Sequence, residues 1–319
     1  MAVFMGYYIL MKNTHLEHPE DAILYNRESF DKMLQFLRDR SSTATVKWDG
    51  APAIVFGTNE GKWFVGTKSV FNKVKVKINY SHNDIEVNHG DSPRVAAILH
   101  TCFECLRKTP GIWQGDFIGY GGTDSFTPNT LTYNFDETID RGIVVAVHTH
   151  YQGKDLKTMC ADFNAQWDRY ERGSNTRYLN TDAHFTARSR RIDYLINFAS
   201  VVANLVRFPD EKRGKELKIA VNKCIREGTD IANAGMGPTM TLLYKTIIEI
   251  KRLMMKGITS DENVQVQFEG EDCDHEGYVV TNKYGTYKLV NRREFSYRNF
   301  TTAKKWLDSG KPIAFNVRN

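Results

Sequence analysis

The stretch TVKWDGAPAIVFG, Thr45–Gly57, decides how this chain is read. Two β-rich runs are joined by an Asp-Gly turn. Lys47 closes the first run, two residues ahead of the turn. A lysine in that place is either a solvated strand end or an amine held rigidly inside a pocket. The residues around it have to separate the two.

Working outward, TATVKWDG, APAIVFGTN, GKWFVGTKS and KVKVKINY predict a meander of short strands punctuated by Asp-Gly, Asn-Glu-Gly and Asn. Upstream, Glu17–Arg40 places Ile23, Leu24, Met33, Leu34, Phe36 and Leu37 at helical spacing, predicting one or two short helices. Downstream, Ser92–Lys108 reads as a helix, and GIWQGDFIGY, NTLTYNF and RGIVVAVHTHY as strands. From about Thr186 to Lys256 the period changes. RIDYLINFASVVANLVRF, GKELKIAVNKCIREGTDIAN and GPTMTLLYKTIIEIKRLMM predict three helices separated by Phe-Pro-Asp and Gly-Met-Gly-Pro. Strands resume with ENVQVQFEG, EGYVVTN and GTYKLVN, and TTAKKWLDSG predicts a last helix. Strands interrupted by helices and then resumed imply one α+β core with an insertion, not two domains in series. The core is expected over 1–184 and 259–319, with a helical insertion at 185–258, so the first and last strands should lie together.

The chain has 319 residues, with 41% hydrophobic and 25% charged, which fits a globular protein with ample core. No apolar run approaches 18 residues, so no membrane span and no membrane partner are expected. The start lacks a basic region and a small-residue cleavage site, so it does not read as a signal peptide. Five widely spaced cysteines outline no disulfide framework, and a reducing cytoplasm is expected. The CFEC pair, Cys102 and Cys105, has no second pair and reads as two half-buried helix cysteines. Charge is uneven. Phe185–Ile258 holds 14 Lys/Arg against 7 Asp/Glu, and Thr281–Asn319 holds 9 against 2, each +7, so the rest of this +5 chain carries about −9. Two basic blocks point to a polyanionic partner, although helix faces are often basic without one.

The polar residues that the strands would present are Lys47, Asp49, Gly50, Lys68, Asp116, Glu276 and Lys288. Each alone has a bland reading: a solvated strand end, a turn, an edge. Lysines and carboxylates together on one concave sheet face are the parts of a phosphate and divalent-metal site. A lysine among other cations and near a metal is expected to lose its proton more easily and become an amine nucleophile.

The motifs resemble those of the covalent nucleotidyltransferase superfamily, the polynucleotide ligases and RNA capping enzymes, and within it the RNA ligases of bacteriophage type. KWDG, Lys47–Gly50, resembles the Lys-x-Asp-Gly signature whose lysine forms lysyl–AMP. WQGDFIG, Trp113–Gly119, is similar to a Gly-Glu-Leu/Ile-x-Gly strand, with Asp116 in place of the glutamate. NTLTYNF is similar to the strand whose aromatic stacks on adenine, with Tyr133 first and Phe135 second. HEGYVV, His275–Val280, resembles Glu-Gly-x-Val, whose glutamate helps hold the metal. YKLVNRREFS resembles the last motif, with Lys288 on phosphate and Val290 where a second lysine would stand. GTKSVFNK, Gly66–Lys73, takes the place of a basic phosphate-contacting motif through Lys68. Most of the chain, with its Lys-Trp-Asp-Gly-Ala-Pro-Ala and Gln-Gly-Asp-Phe segments, also resembles an uncharacterised family of tailed-phage proteins.

The resemblance implies a fold of two antiparallel β-sheets forming a nucleotide cleft, of the nucleotidyltransferase or ATP-grasp-like ligase kind, with flanking helices. It implies ATP with Mg²⁺ or Mn²⁺. Lys47 and Asp49 would be catalytic; Gly50, Lys68, Asp116, Tyr133, Glu276 and Lys288 would bind the nucleotide, with Asp116 and Glu276 on the metal. The implied activity is ATP-dependent polynucleotide ligation through lysyl–AMP, joining 5′-phosphate and 3′-hydroxyl ends, with RNA ahead of DNA as partner. Pro52 stands near where DNA ligases place an arginine, and about 30 residues follow the last motif, too few for an appended OB-fold. Two alternatives stay open: a nucleotidyltransferase with another acceptor (DNA, protein or a small molecule), and a non-catalytic nucleic-acid-binding phage protein on the same fold. His148 and His150 alternate on a strand without an evident metal partner, and GYGG, Gly119–Gly122, lacks the lysine of a phosphate loop and reads as a turn.

Overall fold

The computed structural model describes residues 11–12, 16–165, 167–168 and 174–295. The expected last helix, TTAKKWLDSG, lies outside them. In chain order come β1 (Met11–Lys12), a 3-10 helix at Pro19–Leu24, α1 (Arg27–Arg38), β2 (Thr43–Lys47), β3 (Ala53–Asn59) and β4 (Lys62–Gly66). A 3-10 helix at Lys68–Phe71 leads to α2 (His82–His89) and α3 (Pro93–Cys105). Then follow β5 (Ile112–Tyr120), β6 (Ser125–Phe126), β7 (Thr132–Asn134), β8 (Ile143–Gln152), β9 (Cys160–Asp162), β10 (Thr176–Tyr178) and β11 (Asp182–Phe185). The helices α4 (Arg190–Ala203), α5 (Glu211–Arg226) and α6 (Pro238–Met255) precede β12 (Ile258–Ser260), β13 (Gln265–Phe268), β14 (Glu271–Asp272), β15 (Gly277–Asn282) and β16 (Gly285–Val290).

The architecture is α+β with antiparallel sheets, as the pattern of runs requires. Where two sheets were expected, three form. One runs β1-β9-β8-β5-β3-β4 with β10 also on β8; one runs β12-β11-β2-β15-β16; a small one runs β14-β13-β7-β6. The β10–β8 pair is parallel. Residues 153–175 separate the two strands, long enough for the crossover that a parallel pair needs. The small sheet exists because the β13–β14 hairpin docks on β7, with Val266 opposite Tyr133. Strand pairing of this kind leaves no periodic trace in the sequence.

KVKVKINY is a second difference. It forms no strand; only Asn79 makes a bridge, to Val65. Val74 is 95% exposed, so the Lys/Val alternation has no sheet face to bury.

The five-stranded sheet joins the beginning and end of the described chain. In it, β2 pairs with β15 and β15 with β16, all antiparallel. Its covered face contributes Ala44, Val46, Val280 and Leu289 to one apolar core shared with Phe30 and Phe36 of α1 and Ile247 and Ile250 of α6. Phe36 packs on Tyr287 with ring centroids 4.6 Å apart. On the seven-stranded sheet, Ile54, Phe56 and Phe117 share a second core with Ile85 of α2 and Leu99 and Cys102 of α3. Alternation along the strands sends Asp116 to the opposite face.

Candidate active site

Lys47 is the last residue of β2, directly opposite Gly277, while Thr45, Val279 and Lys288 form one cross-strand row. Residues opposite one another share a sheet face, and so do residues two apart. Lys47 and Lys288 therefore stand on the same face, separated by β15. Gly277 has φ +154°, and an added Cβ would meet the Leu289 carbonyl oxygen at 2.0 Å. Only glycine fits there. The preceding residue, Glu276, places Oε2 2.5 Å from Lys47 Nζ. The Lys47 side chain stays 31% exposed, so its amine is paired but still reachable.

Asp49 is buried and tied down. Its Oδ1 accepts from Asn129 Nδ2 at 2.8 Å; its Oδ2 accepts the Thr130 and Leu131 backbone N–H groups at 2.8 and 3.1 Å. Its own N–H donates to the Tyr133 hydroxyl at 2.7 Å. The turn after Lys47 is thus strapped to the segment ahead of β7. Gly50 brings the turn against β5: a Cβ there would lie 2.6 Å from Asp116 Cβ and 2.9 Å from the Phe117 carbonyl oxygen. The neighbouring bonds, Ala51 N–H to Phe117 O at 3.0 Å and Phe117 N–H to Pro52 O at 3.1 Å, hold that approach.

Asp116 approaches His148, with Oδ2 3.5 Å from Nε2. The register of β5 on β8 shifts between Gln114 and Gly115, which leaves His148 as the extra residue of a bulge. Bulges re-aim side chains, here toward Asp116. Lys68 opens the 3-10 helix on the Asp116 side of the seven-stranded sheet, where Val70 packs with Ile112 and Tyr151. Lys68 itself is exposed, and among the described residues it has no ion-pair partner.

The charges act on one another. Burial favours the neutral amine of Lys47, but the Glu276 carboxylate, backed by Asp116 and Asp49, outweighs it and holds the ammonium above the ordinary lysine value. The expected lowering of the Lys47 pKa is therefore reversed in this structure: its nearest neighbours are carboxylates, not cations. The lowering falls on Lys288 instead, through burial and the like charge of Lys47. Burial also raises Glu276, with Asp49 and Asp116 adding to it and Lys47 opposing.

Tyr133 is fully buried, 4.9 Å from the Trp48 ring and 6.3 Å from the His275 ring. Placed under the turn, it has no open face for an adenine, against the stacking role the resemblance implies. Phe135 is half-buried against Phe126 at 5.7 Å. Sequence reasoning missed Asn129, Trp48 and His275 as parts of this site, and set His148 aside for want of a metal partner. Trp48 Nε1 and His275 Nδ1 are buried without a hydrogen-bond partner, and burial pushes His275 down to about 4. Orphaned polar atoms cost about 1–3 kcal/mol each, and such atoms flag a missing water or ligand. For Trp48 and His275 that signal exists only in the coordinates.

The structure brings together Lys47, Asp49, Gly50, Asp116, Glu276 and Lys288, sets Tyr133 beneath them, and does not bring Lys68 into contact with them. Among the described residues no three His, Cys, Asp or Glu side chains form a ready metal cage. Mg²⁺ and Mn²⁺ do not require one. Mg²⁺ usually takes one or two carboxylates and fills its other positions with water and substrate phosphate. Asp116 and Glu276 both act electrostatically on Lys47 and are the carboxylates that would serve. No helix among the described residues is long and apolar enough to cross a membrane.

No curated protein and no solved structure matches this chain. The model of one family does, over residues 13–239 and 236–304, and by that match the chain belongs to DUF6267, a family of unknown function.

Proposed function

We propose that the Lys47 site transfers a nucleotidyl group from ATP, as the resemblance of its motifs to RNA ligases implies. The observation that carries this reading is one amine, at the end of β2, facing a carboxylate 229 residues further along the chain, with Lys288 on the same sheet face. In this reading the Lys47 nitrogen bonds to the α-phosphorus of ATP, and the bond from that phosphorus to the pyrophosphate oxygen breaks. Lys47 rests as an ammonium and loses two protons. Glu276, which touches it and whose raised pKa suits an acceptor, takes the first and frees the amine. The second, shed as the P–N bond forms, leaves with the pyrophosphate. Lys288 and Lys68 neutralise phosphate charge, and the strapped Asp49 fixes the turn that aims Lys47. Asp116 and Glu276 would hold Mg²⁺ or Mn²⁺, which supplies further charge neutralisation on the phosphates. AMP then passes from Lys47 to a 5′-phosphate end, and a 3′-hydroxyl displaces it. RNA is the proposed acceptor ahead of DNA, gripped through phosphates by the basic segments.

Intact-mass and peptide mass spectrometry after incubation with ATP and Mg²⁺ tests this. The expected result is one AMP per chain, on Lys47. An adduct that is absent, or that forms equally on other lysines, overturns it. A competing reading takes the close Lys47–Glu276 pair as purely structural in a non-catalytic nucleic-acid-binding protein. It predicts no adduct, and salt-sensitive RNA binding that survives Lys47→Ala.

A further inference from the structure

The helices α2 and α3 carry a second constellation, on the face of the seven-stranded sheet away from Asp116. His82 and Glu86 stand four apart on α2; His100 and Glu104 stand four apart on α3. Each helix thus presents a histidine and a glutamate one turn apart. The pairs cross between the helices. His82 Nε2 lies 2.6 Å from Glu104 Oε1, and His100 Nε2 lies 2.7 Å from Glu86 Oε1. The planes of the two imidazoles are 24° apart with centroids separated by 4.9 Å, and the rings meet end to end with their Nδ1 atoms 2.6 Å apart.

An ionised carboxylate can only accept, so each Nε2 carries a proton. A neutral ring protonated at Nε2 has its lone pair on Nδ1. Two such rings aim lone pairs at each other across 2.6 Å. That contact is repulsive unless a cation lies between them, either a proton or a metal ion. The outer contacts favour the metal. Histidine ligands typically donate their second N–H to a carboxylate, which sets the tautomer and the ring direction. Both rings have that arrangement. Two nitrogens on one tetrahedral zinc, at about 2.0–2.1 Å each, stand about 3.3 Å apart. The two Nδ1 atoms need part by only about 0.7 Å to admit the ion, and the His82 side chain is 50% exposed.

We propose that His82 Nδ1 and His100 Nδ1 form a binding site for a divalent transition-metal ion, zinc by its imidazole donors, with Glu104 and Glu86 orienting the rings. No third His, Cys, Asp or Glu side chain among the described residues completes a cage, so water fills the remaining positions and the ion exchanges. Imidazole donors favour Zn²⁺ over Mg²⁺, which separates this site chemically from the one at Lys47. The proposal does not depend on the nucleotidyl-transfer reading.

Metal-stripped full-length protein titrated with Zn²⁺ by calorimetry tests it, with Co²⁺ absorption as an independent signal and Mg²⁺ as competitor. Wild type is expected to take up one Zn²⁺ that excess Mg²⁺ does not displace. His82→Ala and His100→Ala should each weaken uptake at least about tenfold, and Glu86→Gln with Glu104→Gln about 10–100-fold. Circular dichroism checks that each variant is folded. Absence of Zn²⁺ uptake by wild type overturns the proposal, as does uptake unchanged in both histidine variants. So does imidazole NMR in which a proton shared between the rings persists at saturating Zn²⁺.

Discussion

Two groups of charged side chains flank β16, and they are built in opposite ways. In the first, Glu20, Asp21, Lys251 and Arg292 are buried together. Lys251 Nζ is 2.6 Å from Glu20 Oε1, and Arg292 Nη1 is 2.7 Å from Asp21 Oδ1 and donates to the Tyr244 hydroxyl at 2.9 Å. Arg292 also donates to Asn222 of α5. This network welds the segment before α1, two helices and the residues after β16. In the second group, around Lys47, carboxylates outnumber the amine that faces them, and Lys47 remains partly exposed. Lys288 connects the two, its side chain influenced by Lys47 and Arg292 and its N–H donating to the Glu17 carbonyl. The difference teaches that buried charge balanced two against two is a structural joint, even with Glu20 Oε2 left without a hydrogen-bond partner, whereas an excess of carboxylates around a partly exposed amine is where chemistry is to be sought.

The largest expected effect tests that division directly. Lys47→Ala should abolish the AMP adduct, a loss on the order of 10³-fold or more, because the proposed nucleophile itself is removed. Its cost to stability should stay below that of the buried network's variants, because Lys47 is partly exposed and Glu276, left alone, can take up a proton. Arg292→Ala should do the reverse to stability. It leaves Asp21 charged and without its buried partner, at a cost of about 3–5 kcal/mol in urea unfolding. Replacing Glu20 and Lys251 together by Leu and Met should be far milder than either single change, since buried pairs are often replaceable by apolar side chains. If Arg292→Ala proved as harmless to folding as Lys47→Ala, the contrast between the two regions would be lost.

Glu276→Gln sharpens the comparison through pH. Lys47 sits above its ordinary value because Glu276 favours the ammonium. The stabilisation from this pair is fully present below the unfolded lysine value, about 10.4, and is lost as pH rises through the higher folded value. Removing the carboxylate lowers the Lys47 pKa, so the pH profile of adduct formation should move toward lower pH. An unmoved profile would show that Glu276 does not control the amine. The smallest effect is expected from Lys288→Met. The folded state disfavours this ammonium, which costs stability below its lowered pKa. Its removal should raise stability by less than about 1 kcal/mol while reducing adduct yield. A fall in both would place Lys288 with the structural network.

Much of this was legible. The strand runs ending in Lys47 and beginning at Gly277 and Gly285 follow from β-rich composition and glycine punctuation, and the helices α4, α5 and α6 from their 3.6-residue period. The candidate site was legible as a set of residue types but not as an arrangement. Tyr133 illustrates the limit: an aromatic on a short strand reads equally as a base platform or as core, and only its neighbours Trp48 and His275 settle it as buried. His148 turns toward Asp116 through a bulge, which depends on the pairing of two strands and not on either alone. KVKVKINY had strand periodicity and no partner strand. Glu20 and Asp21 look like an ordinary acidic first turn until Lys251 and Arg292 arrive from more than two hundred residues away.

By itself the sequence determined the element types, the Asp-Gly turn after Lys47 and the residue types available for chemistry, because periodicity and turn propensity act over a few residues. Tertiary structure alone decided which charges face one another, which are sealed from water and which stay reachable. Those outcomes depend on strand register and on packing between distant segments, where desolvation and Coulomb energies are set by a few ångströms of separation.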